Sequence, residues 1–312
     1  MEPLRTLLSV PGNRQNMIDK VWNLPVDALV LDLEDSVPTS EKASARALAR
    51  DTLAMLARAK IGETQKGRKV FVRINSLASG LAREDLEAVI IPGVDGISQP
   101  KPATAHDVTE MAAIIALLEQ ERGIAAGHVR LLPWVETAMG LLHAFEIASA
   151  SPRVVGISFG AEDFTLDTGM IRTEEGSELL YPRTMVVIAA KAADVVAVDT
   201  PYNNFKDEAG LVNEARLARR LGFGGKFLIH PSQIESVNRI FSPSPEEIAH
   251  ARRVVDAFEA AVAQGFASTS LDGKMIDIPI ANRARKLLFV ADSIARRRSE
   301  DDQLHDLAQI DM

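Results

Sequence analysis

The stretch ALVLDLE, residues 28–34, decides the fold. It is apolar at consecutive positions until it reaches Asp32 and Glu34, whereas a half-buried strand would alternate apolar and polar side chains. Continuously apolar strands of this length are typical of parallel sheets that are covered by helices on both faces. The stretch therefore predicts an α/β protein with a parallel sheet.

Seven further runs of this kind occur along the chain, and helical patterns separate them. The eight predicted strands are 5–10, 28–34, 69–75, 96–100, 129–136, 154–160, 195–200 and 226–230. Between them, Ser40 is predicted to be a helix N-cap, and Gly123 and Gly222 are predicted to end helices. Eight strand–helix units with right-handed crossovers favour a closed (β/α)8 TIM barrel over an open doubly wound sheet.

The pattern changes after the eighth unit. The stretch SPSPEE precedes a predicted helix, FASTSLDGKMIDIP (266–279) reads as a loop or short hairpin, and another predicted helix follows. We therefore predict a TIM-barrel catalytic domain over residues 1–241 and a C-terminal helical extension or lid over residues 242–312.

Composition excludes several classes of function. The formal net charge of −8 argues against non-specific binding of nucleic acid. The chain has no cysteine, which excludes disulfides, thiolate zinc sites and cysteine nucleophiles. It has neither an apolar run of 18 residues nor a signal-peptide pattern, so we expect a cytoplasmic protein that does not bind a membrane.

Acidic residues follow several of the predicted strands, and barrel enzymes carry their active sites at the carboxyl ends of the strands. These acids are Asp32, Glu34, Asp35, Glu136, Glu162 and Asp163. Acids so close together repel one another unless a cation or a basic partner is present. For those after the second strand, the alternative is a solvated turn beside a helix N-terminus.

Basic and small residues follow other strands. Arg73 is interpreted as a bidentate binder of a substrate carboxylate or as the partner of the acids, and the two roles are compatible. Gly12 and Arg14 form either an ordinary turn or a place where backbone amides and a guanidinium meet a phosphate or carboxylate. Lys101 is interpreted as a plain loop residue, and His230 as a satisfied polar group rather than a general base.

Ligands that are all oxygen indicate a hard divalent cation. Mg²⁺ usually takes one or two protein carboxylates and completes its octahedron with water and substrate. We therefore predict that Glu136 and Asp163 bind Mg²⁺ directly and that Glu34 and Asp35 hold its water ligands.

With Arg73, such an ion would hold a 2-oxo acid and stabilise an enolate, which indicates cleavage or formation of a carbon–carbon bond next to a carbonyl. No strand ends in a lysine placed to form an imine, which argues against Schiff-base aldolase chemistry. Glycoside cleavage fits less well, because sugar sites use aromatic platforms and only 5% of this chain is aromatic.

Nine motifs, in order over about residues 4–290, resemble the citrate lyase β-subunit-like proteins of the HpcH/HpaI aldolase superfamily, which includes malyl-CoA and citramalyl-CoA lyases. The motifs are SVPGNR, LDLEDSV, VRIN, WVETAMGLLHAFEIA, GISFGAEDF, AVDTPYNNFKDEAGL, KFLIHPSQI, FSPSPEEIAHARRVV and DGKMIDIP. The resemblance implies a TIM barrel, Mg²⁺, and a thioester substrate carried by CoA or by an acyl carrier.

The same resemblance implies roles for individual residues. It agrees with the roles already given to Arg73 and the four acids of the metal site. It places Arg14 and Lys20 near the CoA moiety. It also matches Asp277, in MIDIP, to an acid that acts on the substrate of a neighbouring subunit.

These implications favour a Mg²⁺-dependent acyl-CoA lyase of the malyl-CoA, methylmalyl-CoA or citramalyl-CoA type. It would split a 3-hydroxyacyl-CoA into an acyl-CoA and glyoxylate or pyruvate, or run the reverse condensation. The alternatives are the β subunit of a citrate lyase complex, acting on a carrier-bound citryl thioester, and a non-catalytic barrel that binds an oxo acid. The intact tail predicts a homo-oligomer, either a trimer or a dimer of trimers.

Overall fold

Eight short parallel strands pair in chain order, and the eighth pairs with the first, which closes a barrel. The strands, labelled β1 to β8, are Thr6–Pro11, Ala28–Asp32, Lys69–Arg73, Gly96–Gln99, Arg130–Val135, Gly156–Phe159, Val196–Asp199 and Gly225–Leu228. Each overlaps one of the eight runs identified in the sequence. The prediction of a (β/α)8 TIM barrel is confirmed.

This computed structural model describes residues 3–61 and 68–310, and of the side chains those up to 58 and from 68 to 297. The chain divides into two compact units. One is Leu4–Asn238, which contains the barrel, and the other joins Pro3 to the described residues from 239 onward.

Ten helices of the described ranges precede the C-terminal part of the chain, most of them between successive strands. Labelled α1 to α10, they are Gln15–Val21, Lys42–Ile61, Ala82–Val89, Ala105–Glu121, Ala138–Leu142, Ala144–Ser149, Ala161–Thr168, Leu180–Ala192, Glu208–Leu221 and Ile234–Phe241. No described helix combines the length and apolarity that crossing a membrane requires.

The predicted helix ends have mixed outcomes. Gly222 adopts a φ of 108° as the C-cap of α9, and Gly123, with a φ of 65°, follows the C-cap of α4, so both predicted ends are confirmed. The prediction for Ser40 is wrong. Ser40 lies inside a 3₁₀ turn, Thr39–Glu41, and α2 begins only at Lys42.

Apolar side chains from six of the strands fill the inside of the barrel. They form one cluster with a single residue that precedes β1, Leu4. Its members are Leu4, Leu7, Ala28, Val30, Phe71, Leu132, Trp134, Val198 and Phe227. The rings of Trp134 and Phe227 lie 4.3 Å apart. Trp134 Nε1 donates to Ser98 Oγ at 2.6 Å, which satisfies the one polar atom of a buried indole.

A buried group of charges lies on the outer side of the barrel wall. Lys226 on β8 is fully buried, and its Nζ donates to Asp199 Oδ2 at 2.8 Å and to Glu214 Oε1 at 2.5 Å. Arg183 on α8 pairs with both carboxylate oxygens of Asp199, at 3.0 and 2.9 Å. Because a buried charge is costly unless it is paired, this cluster ties β7 and β8 to α8 and α9.

The C-terminal unit consists of a helix, a hairpin and a long helix. These are α11 (Pro245–Ala263), β9 (Thr269–Leu271), β10 (Lys274–Ile276) and α12 (Ile278–Ile310). The two strands pair antiparallel, so the predicted short hairpin is present. A separate apolar cluster of Ala251, Val254, Phe258, Ile276, Ala281 and Ala284 forms its core.

Candidate active site

A buried ion pair joins the carboxyl ends of β2 and β3. Asp32 and Arg73 lie opposite each other in the sheet register, and Arg73 Nε and Nη2 donate to the two oxygens of Asp32 at 2.7 and 2.6 Å. Burial alone would raise the pKa of Asp32. The charge of Arg73 and its two hydrogen bonds outweigh burial and hold that pKa below its ordinary value.

The carboxylate of Asp32 also shapes the turn that follows β2. It accepts from the backbone N of Glu34 at 2.9 Å and of Ser36 at 3.2 Å. The turn places Glu34 Oε2 3.3 Å and Asp35 Oδ2 3.7 Å from Arg73 Nη1. The nitrogen of Arg73 that Asp32 does not use is therefore directed at the next two acids.

Lys101, in the loop after β4, connects the remaining acids. Its Nζ lies 3.0 Å from Glu34 Oε1 and 3.3 Å from Asp163 Oδ1. Its backbone N donates to Glu136 Oε1 at 2.9 Å. Burial alone would lower the pKa of Lys101, but the neighbouring carboxylates, Glu34 first, raise it above its ordinary value.

Glu136 follows β5 and is only 2% exposed. Gly160 lies against it, and a Cβ at that position would collide with both Glu136 Oε2 and the Glu136 Cβ. The close approach of β6 to this carboxylate therefore requires a glycine at the strand end.

Two of the acids hold their protons to unusually high pH. Burial, reinforced by the charge of Asp35, raises the pKa of Glu34 to about 7, although Arg73 and Lys101 act in the opposite direction. Burial and the charges of Glu34 and Asp163 raise the pKa of Glu136 well above its ordinary value. The two basic groups thus compensate only part of the negative charge.

The adjacent acids Glu162 and Asp163, in the first turn of α7, have different surroundings. Asp163 lies beside Lys101. Glu162 is 57% exposed and pairs with Arg172 Nε at 3.3 Å, while Asn203 Nδ2 donates to it at 3.0 Å. The structure brings only Asp163 to the acid group.

Gly12, Arg14 and Lys20 lie in the turn after β1 and along α1. The backbone N of Gly12 donates to the carbonyl of Asp32 at 2.8 Å, and a Cβ on Gly12 would lie 2.8 Å from that oxygen. Arg14 and Lys20 are exposed. They lie six residues apart, which is roughly 9 Å along a helix axis.

Two further candidates lie in caps. Asp277 belongs to the C-terminal unit, where its Oδ1 accepts from the backbone N of Ile280 at 3.2 Å at the start of α12. His230 accepts from the backbone N of Ser232 at 3.2 Å, and its ring stacks on Phe205 at 4.7 Å.

Sequence reasoning missed the contacts of Lys101. It treated this residue as part of a plain loop, because a lysine between Pro100 and Pro102 has no regular pattern around it. Its position two residues after the end of a barrel strand was the available signal.

The acids fit a hard divalent cation that keeps most of its water. Among the described residues, no group of three or more His, Cys, Asp or Glu side chains is arranged to hold a metal. Mg²⁺ needs only one or two carboxylates, and this group of acids contains that number and more. The buried Oε2 of Glu34 accepts no hydrogen bond from the described residues, so it can accept one from water.

Comparisons with known proteins identify the family of this chain. A family model described as HpcH/HpaI aldolase/citrate lyase matches residues 5–231. Citrate lyase subunit beta of Escherichia coli (strain K12) is 40% identical over 288 residues, which are 92% of this chain and 93% of the relative. Mitochondrial citramalyl-CoA lyase of Homo sapiens is 36% identical over 305 residues, which are 95% of this chain and 87% of the relative.

A solved structure is similar over nearly the whole chain. It is CitE from Mycobacterium tuberculosis in complex with magnesium, acetoacetate and coenzyme A. The TM-score is 0.75 at 30% sequence identity, with 93% of this chain and 98% of that chain covered.

The fold and the named relatives define a class of protein, the carbon–carbon lyases built on a (β/α)8 barrel. Within that class, the chain belongs to the HpcH/HpaI aldolase/citrate lyase family. The resemblance that the nine motifs carry is confirmed.

The raised pKa of Glu34 predicts a pH dependence of stability in the metal-free protein. Glu34 stays protonated in the folded state up to a pKa of about 7, against 4.5 as its ordinary value. Its contribution to stability is complete below pH 4.5 and is lost as the pH rises through 7. Glu34→Gln should remove up to about 3 kcal/mol of this loss.

The measurement is urea unfolding in EDTA between pH 4.5 and 8, followed by tryptophan fluorescence, which reports on the barrel unit through Trp22 and Trp134. Glu162→Gln, which alters an exposed acid, is the control and should follow the wild-type curve. Parallel pH curves for Glu34→Gln and the wild type would contradict the prediction.

Proposed function

We propose that the protein is a Mg²⁺-dependent acyl-CoA lyase. It splits a 3-hydroxyacyl-CoA of the malyl-CoA, methylmalyl-CoA or citramalyl-CoA type into an acyl-CoA and glyoxylate or pyruvate, or catalyses the reverse condensation. The observation that carries the proposal is that charged groups from several strand ends meet in one place. Arg73 lies beside Glu34, and Lys101 contacts both Glu34 and Asp163. The amide of Lys101 donates to the buried Glu136. The human relative named citramalyl-CoA lyase and the CitE complex with magnesium and coenzyme A support it.

In this proposal, Glu136 and Asp163 bind Mg²⁺ directly, and Glu34 and Asp35 hold water of its hydration shell. When bound, the ion supplies Lewis-acid stabilisation of the negative charge that develops on oxygen during cleavage. The raised pKa of Glu34 and of Glu136 supports these assignments, because a divalent cation would offset the burial and the neighbouring negative charges that raise both pKa values.

Arg73 binds the carboxylate of the oxo acid. Asp32 occupies Nε and one hydrogen of Nη2 and thereby fixes the plane of the guanidinium. Nη1, which Asp32 does not use and which lies 3.3 Å from Glu34 Oε2 and 3.7 Å from Asp35 Oδ2, is the nitrogen directed at a ligand at the mouth of the barrel. The ring of Trp134, 5.5 Å from the guanidinium carbon, supports the same orientation.

The CoA moiety binds along the turn after β1 and α1. Arg14 and Lys20 are exposed there, and their charges suit the phosphates of CoA. Gly12 allows the turn to lie directly against the end of β2. Arg14 is the N-cap of α1 and Lys20 lies in its last turn, so the two basic residues lie at opposite ends of this helix.

Cleavage removes the proton of the substrate hydroxyl and breaks the adjacent carbon–carbon bond. The hydroxyl carbon becomes the ketone or aldehyde carbon of the oxo acid, and the electron pair of the broken bond forms the thioester enolate. Protonation of the enolate carbon completes the acyl-CoA. We assign this proton to Asp277 in the extension over residues 242–312. It acts on a substrate that the catalytic domain of a neighbouring subunit, residues 1–241, binds.

The proposed activity is tested with malyl-CoA, methylmalyl-CoA and citramalyl-CoA, with phenylhydrazine to detect the released oxo acid. At least one thioester should be cleaved, and only with Mg²⁺ present. Arg73→Lys keeps the charge but loses the forked pairing, so it should lower kcat/KM about 100-fold.

A carrier-bound citryl thioester belongs in the same assay, because the similarity to the citrate lyase β subunit favours that alternative. Cleavage of this substrate alone would assign the protein to a citrate lyase complex. Cleavage of no thioester would overturn both functions.

Two substitutions separate the chemical role of Asp277 from its role as a cap. Asn is as good an N-cap as Asp, so Asp277→Asn should keep the wild-type stability while turnover falls about 10² to 10⁴-fold. Asp277→Ala should lose the same activity and about 1 kcal/mol of stability as well. Binding of Mg²⁺ and oxo acid should be unchanged in both, and near-normal turnover of Asp277→Asn would refute the assignment.

We also propose that the protein forms a homo-oligomer, either a trimer or a dimer of trimers. Large apolar side chains are exposed on α5, α6, α7 and α8 and on the segment that follows α7. They are Met139, Leu142, Phe145, Leu166, Met170, Ile171, Leu180, Tyr181 and Ile188. Exposed apolar side chains concentrated on successive helices are typical of a contact between protein chains, and we assign these to a second copy of this chain.

Light scattering coupled to size-exclusion chromatography tests the assembly. For a chain of 33.8 kDa, we expect about 100 kDa for a trimer or 200 kDa for a hexamer. Leu142→Glu, at a position 76% exposed on α5, should lower the mass, whereas Met55→Glu on α2, at 51% exposure, should not. A wild-type mass near that of one chain would contradict the proposal.

A further inference from the structure

The ammonium of Lys101 lies among carboxylates from separate parts of the barrel. Nζ is 3.0 Å from Glu34 Oε1, 3.3 Å from Asp163 Oδ1 and 4.0 Å from Asp35 Oδ1. The first and last follow β2, and Asp163 belongs to α7. One positive charge therefore joins the turn after β2 to the first turn of α7, and the Lys101 side chain is 30% exposed.

The backbone of Lys101 contacts Glu136 through a different group. Its N–H donates to Glu136 Oε1 at 2.9 Å, and its φ of 53° lies in the left-handed region that side chains disfavour. Lys101 also precedes Pro102, which restricts its backbone further. Strain of this kind persists where the surroundings over-determine a conformation. Here it keeps the amide and the ammonium directed at the same group of acids.

The ammonium and a divalent cation would compete for one position. A cation bound by Glu136 and Asp163 needs the carboxylate of Asp163, which Lys101 contacts. Cations within about 4 Å of each other repel strongly where water is partly excluded. Repulsion between the two cations therefore weakens the contact of Lys101 Nζ with Asp163 Oδ1 once the divalent cation is bound.

We propose that Lys101 is a positioning residue whose ammonium serves as the counter-cation of the metal-free site and is displaced from Asp163 toward solvent when Mg²⁺ binds. This inference rests on the proposed function in one respect, the assignment of Glu136 and Asp163 as ligands. The bond from the Lys101 amide to Glu136 does not involve the side chain, so it persists through the exchange and keeps that ligand oriented.

The experiment is calorimetric titration of Mg²⁺ into protein that EDTA and dialysis have freed of metal, without substrate. Lys101→Met removes the competitor, so its affinity for Mg²⁺ should rise about tenfold or more. The metal-free variant should unfold at a lower temperature than wild type, because the acids lose their counter-charge. Mg²⁺ should raise its Tm by more than it raises that of the wild type.

A lysine that merely pre-arranged the acids would give the opposite sign, with Lys101→Met binding Mg²⁺ more weakly. Lys101→Arg, which keeps the positive charge, should remain within about threefold of the wild-type affinity. Lys42→Met is the matched control for loss of a nearby charge, because Lys42 Nζ donates to the carbonyls of Leu33 and Glu34, at 2.7 Å each. Its affinity should change less than about threefold.

The outcomes separate the two proposals. If Lys101→Met binds Mg²⁺ no more tightly than wild type, or if Lys42→Met gains as much affinity, the displacement of Lys101 is overturned. The metal site is upheld separately, if wild-type protein binds Mg²⁺ and Glu136→Gln abolishes that binding. Wild-type protein that binds no Mg²⁺ would overturn the metal site and the exchange together.

Discussion

Repulsion among acids at the carboxyl end of the barrel is the constraint on which the rest of the site depends. Arg73 compensates Asp32 so fully that the pKa of this buried acid falls below its ordinary value. The same compensation does not extend to Glu34 and Glu136, whose pKa values rise. Lys101 contacts both of these acids, Glu34 through its ammonium and Glu136 through its backbone N. The barrel thus maintains a charge imbalance at a place where water is scarce, and a bound cation would relieve it.

The ion pair of Asp32 and Arg73 also explains why a continuously apolar strand can end in an acid. The two residues face each other across β2 and β3, so closing the sheet brings the charges together. The oxygens of Asp32 then accept from the amides of Glu34 and Ser36. One carboxylate thereby fixes an arginine and builds the turn that carries the next acids. Electrostatics and backbone geometry at this strand end depend on the same side chain.

Much of the architecture could be predicted from the sequence, because parallel strands buried on both faces leave continuous apolar runs. The acids at the carboxyl ends of these runs could be predicted for the same reason. A residue such as Glu136 ends a buried apolar run, and exposure to solvent does not account for an acid at that position. The distinction between Glu162 and Asp163 also follows from the turn of a helix, which directs adjacent side chains to different sides.

The contacts of Lys101 could not be predicted, because they depend on a positive φ that glycine or asparagine normally marks in a sequence. That Asp32, among the nearby acids, is the bidentate partner of Arg73 depends on the register of β2 against β3, which composition does not encode. The N-cap prediction at Ser40 failed because a 3₁₀ turn, Thr39–Glu41, precedes α2, and such turns are frequent at the ends of α-helices.

The pairing of β1 with β8 joins Thr6 to Lys226, about 220 residues apart in the chain. Since the entropy of loop closure grows only with the logarithm of length, this contact costs about 2 kcal/mol more than joining β1 to β2, whose partners Leu7 and Ala28 are about 20 residues apart. The thermodynamic penalty for closing the barrel is therefore modest. The kinetic consequence is larger, because contacts between such distant residues slow folding. β8, the second neighbour of β1, is the last barrel strand in the chain, so the barrel closes only when β1 and β8 pair.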